Sequence, residues 1–60
     1  MRVVDTSGIE AEAIQLEGPT ILGIEGGDAC ISEGEWAIYY PGVKPLPVTQ
    51  EQFEARFKEL

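Results

Sequence analysis

Residues 35–40 read Glu35-Trp36-Ala37-Ile38-Tyr39-Tyr40, the densest run of aromatic and β-branched side chains in the chain. Such side chains fit a pleated, half-buried surface, so this stretch is expected to be the central strand. Alternation along a strand places Trp36, Ile38 and Tyr40 on one face, expected to be core, and Glu35, Ala37 and Tyr39 on the other.

Working outward toward the C-terminus, Tyr40-Pro41-Gly42-Val43 has proline and glycine at the positions a type II turn requires. That turn has the wrong hand for a tight hairpin, so a wider loop is expected. Val43 to Val48 then runs extended, with Pro45 and Pro47 removing two N–H groups from the same side. This predicts an edge strand with its outer side blunted. Thr49 and Gln52 have the spacing of a capping box, and Val48 and Phe53 that of a hydrophobic staple. Phe53, Phe57 and Leu60 share one helical face, and Glu54 and Lys58 form an i,i+4 pair outside. The spacing predicts a helix over 50–59, laid on the sheet by its phenylalanines. Trp36, Ile38, Phe53 and Phe57 are the expected core.

Toward the N-terminus, Gly26-Gly27 is a hairpin signal between strand candidates Thr20 to Glu25 and Asp28 to Ser32. Glu33-Gly34 is expected to turn the chain into the Trp36 strand, making a three-stranded meander. Met1 to Val4 suits a first strand, and Asp5-Thr6-Ser7-Gly8 a turn. Residues 8–17 are ambiguous. A capping box at Ser7 and Glu10 with Ile9, Ala13 and Leu16 on one face fits a helix, whereas Glu12-Ala13-Ile14-Gln15-Leu16 alternates as a strand with Ile14 and Leu16 inward. The expected fold is α+β in a single small domain: an antiparallel meander of about four to five short strands over 1–48, with one C-terminal helix over 49–60 packed on it.

Sixty residues bury only a modest core, about 60% of the unfolded chain's surface. A single cysteine and no histidine leave neither a disulfide nor a structural zinc site as reinforcement, so self-association into a homo-oligomer is expected. The start, Met1-Arg2-Val3-Val4-Asp5, has no signal-peptide core, and no apolar run approaches membrane-spanning length. Cytoplasm is the expected compartment, with no membrane partner.

The net charge of −7 is regional: residues 1–43 carry eight carboxylates against Arg2 alone, while residues 44–60 balance three against three. Such a field repels nucleic acid and steers toward basic partners, although acidity also serves solubility alone. Without histidine, Ser-His and Cys-His nucleophile arrangements are excluded, and so short a chain has little volume to enclose a substrate. No enzyme activity and no cofactor are expected. Cys30 reads as a small apolar core residue. Gly23-x-x-Gly26-Gly27 lacks the lysine of a phosphate loop. Asp28, Glu33 and Glu35 read as solvated turn carboxylates rather than a metal site. Trp36, Tyr39 and Tyr40 beside Lys44 suggest base stacking, but the surrounding negative field argues against nucleic acid. An outward Tyr39 suits an interface anchor.

From Gly34 onward the chain resembles a group of small proteins of tailed bacteriophages and prophages. Their pattern of Gly-Asp-Trp/Tyr, a β-branched pair, a glycine-rich turn, a proline and Phe-x-x-x-Tyr/Phe has counterparts here. These are Gly34-Glu35-Trp36, Ala37-Ile38, Pro41-Gly42, Pro47 and Phe53-Glu54-Ala55-Arg56-Phe57. Glu12-Ala13-Ile14-Gln15-Leu16 is similar to their early Glu-Ala-Val-Gln-aromatic strand, which favours strand for that segment, with Leu16 standing where the pattern has an aromatic residue. The resemblance implies a phage or prophage origin and the same sheet plus C-terminal helix, and it transfers no catalytic residue. The functional expectation is an acidic interaction protein that binds and inhibits a basic or nucleic-acid-handling host protein through Glu25, Asp28, Glu33 and Glu35. Two alternatives stand beside it: a homo-oligomer holding a small ligand with Tyr39, Tyr40 and Arg56, and a minor virion or assembly component.

Overall fold

The Trp36 segment is a strand with a neighbour on each side, as its composition requires. In the computed structural model, which describes residues 1–60, the strands are β1 (Arg2–Asp5), β2 (Glu10–Gln15), β3 (Thr20–Ile24), β4 (Gly27–Ile31), β5 (Trp36–Tyr39), β6 (Leu46–Val48) and β7 (Phe57–Glu59), with one helix, α1 (Gln50–Arg56), before β7. Five strands form an antiparallel sheet in the order β6-β5-β2-β1-β7, and β3 and β4 form a separate two-stranded sheet. The α+β class with an antiparallel sheet and one C-terminal helix is as expected.

Helix α1 connects β6 at one edge of the sheet to β7 at the other, so it must cross one face. That face holds the core: Val3, Ala11, Ala13, Trp36, Ile38, Val48 and Phe57 are buried together, with Tyr40 and Phe53 packed against them. The rings form a continuous row. Trp36 stacks on Phe53 at 3.9 Å between centroids, Phe53 on Phe57 at 5.6 Å, and Phe57 meets Tyr40 at 6.4 Å. The helix start is fixed as its sequence signals predict. Thr49 accepts from Gln52 N–H, the Gln52 side chain accepts from Thr49 N–H, and Val48 and Phe53 join the same cluster. Gln50 adds a polar clamp, its Oε1 accepting from Trp36 Nε1 at 2.8 Å and from Gln15 Nε2 at 3.1 Å.

Several expectations are corrected. The helix ends at Arg56 rather than near residue 59, because β1 offers an unpaired edge and Phe57 to Glu59 take it as β7, with Asp5 facing Phe57 and Val3 facing Glu59. Phe57 thus reaches the core from a strand, Leu60 is 64% exposed, and no Glu54–Lys58 ion pair forms. Residues 10–15 are a strand, but the inward residues are Ala11 and Ala13 rather than Ile14 and Leu16, since Ala13 faces Ile38 where the large rings already fill the space. Ser7 caps no helix. Its N–H and that of Ile9 donate to Asp5 Oδ1, closing the β1–β2 turn. Ala37, expected outward, is fully buried because it lies in the ladder between Ile14 and Pro47 on the same face.

The meander is corrected too: β5 pairs with β2 and β6, not with β4. The β2–β5 and β3–β4 ladders keep a single register, with four residues between Gln15 and Thr20 on one arm and four between Ile31 and Trp36 on the other. They are the near and far parts of one hairpin, separated by a break in which a bulge on one arm is offset by one extra residue on the other. Leu16 O accepts from Gly34 N–H while Leu16 N–H donates to Glu35 O, so two residues oppose one. Gly34 has φ +86, the left-handed conformation that the first residue of this bulge type adopts. The Glu33-Gly34 turn is present as expected, with Glu35 N–H donating to Ser32 O at 3.2 Å, but it leads into a β5 that pairs with β2 and β6 rather than back onto β4. The tip is Glu25-Gly26 rather than Gly26-Gly27, since Ile24 faces Gly27.

Candidate protein-interaction surface

The hairpin of β3 and β4 stands apart from the five-stranded body, its strands paired with each other and scarcely touching the rest. The register puts Thr20, Leu22, Ile24, Ala29 and Ile31 on one face and Ile21, Gly23, Asp28 and Cys30 on the other. On the first face Ile31 is buried and Leu22, Ile24 and Ala29 are half-buried; on the second Ile21 is 75% exposed. Cys30, expected in the core, is exposed because it shares the Ile21 face.

The four acidic residues singled out in the sequence divide between the two ends of this hairpin. Glu25 lies at the tip with Asp28 close behind it on β4, and both are exposed. Glu33 and Glu35 lie at the base, in the bulged turn, where Glu35 Oε1 accepts from Ser32 N–H at 2.8 Å. No three carboxylates or other metal-binding side chains come together. Both ion pairs of the molecule are elsewhere, joining the Met1 ammonium to Glu12 at 3.6 Å and Arg2 to Glu10 at 2.7 Å. The hairpin carboxylates, and Glu17 before β3, thus have no cation partner. Unneutralised charges on this two-stranded element set a negative potential around it, reaching about 8–10 Å at physiological salt.

Tyr39 and Tyr40 project to opposite faces. Tyr39 faces Glu12 on the outer side and is 37% exposed, beside a shallow cleft that it shares with Arg2, Glu10, Glu12, Tyr40 and Pro41. Tyr40 lies on the core side and donates to Asp5 Oδ2 at 2.7 Å. This bond, then the Ile9 and Ser7 N–H groups, holds the Asp5 carboxyl below its ordinary 3.8. Burial, reinforced by the same carboxylate, pushes the Tyr40 hydroxyl up to about 12. Arg56 lines a second cleft of about 350 Å³ with Asp5, Thr6, Glu54 and Lys58, close enough to Tyr40 for its charge to be felt. No one cleft holds all three ligand contacts of the alternative reading: Tyr39 and Tyr40 line one, and Arg56 lines the other.

Sequence reasoning missed Glu17 and Ile21, which flank and line the exposed strand β3. The signal was present in the absence of any lysine or arginine from residue 3 to residue 43. No helix is long and apolar enough to cross a membrane. Comparison with known protein families, characterised proteins and solved structures finds no match for this chain.

Proposed function

We propose that this chain is a non-enzymatic acidic interaction module whose projecting hairpin engages a basic surface of another protein. The carrying observation is that Glu17, Glu25, Asp28, Glu33 and Glu35 have no cation within salt-bridging distance, while the ion pairs of the molecule lie at its N-terminus. Charges left unpaired on a projecting element steer association and set partner choice more than they stabilise the fold. The acidity, taken with the phage origin that the resemblance implies, makes the proposed partner a basic or nucleic-acid-handling host protein whose anion-binding surface the hairpin occupies and blocks. The absence of histidine and the small, open clefts support the non-enzymatic part of this reading.

A pull-down from bacterial lysate with the wild-type chain and a Glu25→Lys, Asp28→Lys, Glu33→Lys, Glu35→Gln variant tests it. Glutamine at 35 can still accept the Ser32 N–H bond. The expected result is a stoichiometric basic protein captured by the wild type, released by salt and lost by the variant. Equal capture by both would discard the acidic surface as the recognition element.

A further inference from the structure

We propose that the outer edge of β3 accepts an extended segment of the basic partner as an added strand, a segment with alternating β-branched residues at its centre and Lys or Arg at both ends. This rests on the interaction-module reading and adds where, and in what form, the partner is held.

The edges of the molecule are treated unequally. On the five-stranded sheet, β6 carries Pro47 and follows Pro45, and β7 is three residues long with Lys58 at its middle. Proline, shortness and an edge lysine are the usual protections against strand addition. Strand β3 is less protected: Pro19 precedes it as Pro45 precedes β6, but Thr20-Ile21-Leu22-Gly23-Ile24 itself contains no charge and no proline, and three of its five residues are β-branched. Its partner β4 carries Asp28. An isolated two-stranded ribbon is at best marginally stable in water, and a third strand is what such a ribbon lacks. Addition to a sheet edge draws affinity from main-chain hydrogen bonds and specificity from the flanking side chains.

Those flanks choose the occupant. Glu17 lies just before β3 and Glu25 just after it, neither with a cation partner. A second copy of this chain is disfavoured because it brings its own Glu17 and Glu25 to an edge that already carries both; antiparallel pairing about Ile21 sets Glu25 of one copy opposite Glu17 of the other, and pairing about Leu22 leaves all four without a cation. Parallel in-register pairing sets each glutamate against itself. Like charges directly opposite destabilise a strand pair, whereas Lys or Arg at both ends of an incoming strand complements them.

The test uses the full chain, isotope-labelled for amide exchange, and the synthetic peptide Lys-Lys-Thr-Val-Thr-Val-Thr-Lys-Lys. The expected result is salt-sensitive binding that slows exchange at β3 amides, with about tenfold weaker binding when the peptide ends are glutamate. Ile21→Lys should weaken binding by about tenfold, with the near-ultraviolet signature of Trp36 unchanged. A peptide methylated at its central backbone nitrogens cannot pair as a strand, so it supplies the same comparison without altering the protein; undiminished affinity of this peptide overturns the proposal. Protection appearing on β5 or α1 instead of β3 also overturns it while leaving the acidic-module reading intact. So does absence of peptide binding alongside a charge-dependent lysate capture. Sedimentation of the free chain as a dimer with β3 amides already protected assigns the edge to a second copy and overturns the choice of occupant.

Discussion

The five-stranded body and the β3–β4 hairpin are built from one continuous register, yet they are stabilised in opposite ways. The body closes on itself: four rings in a row lie between sheet and helix, Gln50 ties the helix start to β2 and β5, and proline or a short strand with a central lysine finishes each edge. The hairpin leaves Ile21 in water, carboxylates unpaired and an edge strand without charge or proline. Regions that bind are drawn from the less stable parts of a structure, and here the sequence spends its large side chains on the body.

The sharpest way to break this contrast is to attack the ring row. Trp36→Ala removes the indole stacked on Phe53 and should cost about 3–5 kcal/mol, enough to unfold a chain of this size in a urea melt followed by far-ultraviolet circular dichroism. A loss below about 1 kcal/mol would mean that the rings do not hold the body together. Next is the junction. Gly34→Ala puts a side chain at φ +86 and should cost about 1–2 kcal/mol by the same melt, with the loss shared by both halves because both hang from the bulge.

A smaller effect belongs to the Asp5–Tyr40 pair on the body side. The folded Asp5 carboxyl lies below 3.8, so its contribution is complete above that value and is lost as pH falls through the lowered one. The folded Tyr40 hydroxyl is raised from 10.0 to about 12, so its contribution is complete below 10.0 and is lost as pH rises toward 12. Thermal melts across pH should show a plateau falling at both ends. Tyr40→Phe should lower the plateau and flatten both limbs. An unchanged alkaline limb would remove Tyr40 as its cause.

The smallest effect is expected where the contrast is most exposed. Replacing residues 21–30 by Asn-Gly joins Thr20 to Ile31 through a tight turn and deletes most of the hairpin. The remaining chain should keep the Trp36 near-ultraviolet signal and lose less than about 1 kcal/mol. Collapse of that signal would show that the hairpin supports the body.

Local chemistry made parts of this fold legible. Thr49 and Gln52 satisfy the helix start within four residues, Pro45 and Pro47 announce an edge, and the Trp36 face is set by alternation alone. What escaped was decided at a distance. Nothing near Phe57 forbids another helical turn; the unpaired edge of β1 ends the helix. Ile14 is more apolar than Ala13, yet Ala13 goes inward because it shares a ladder rung with Ile38 in a core already filled by rings. Gly34 reads identically as a reversal or a bulge until Leu16 is found opposite it. For the surface, the acidic positions were visible as composition, but their split between tip and base, and the bare edge beside them, required the pairing.

The lock-step of the two hairpin arms has an evolutionary corollary. Adding one residue to each arm at the same rung lengthens the ribbon by about 3.4 Å and leaves every pairing nearer the body intact. An addition to one arm alone turns every later side chain on that arm to the opposite face. Descendants of this chain are therefore free to vary the reach of the ribbon by matched insertions, without rewriting a single residue of the scaffold that carries it.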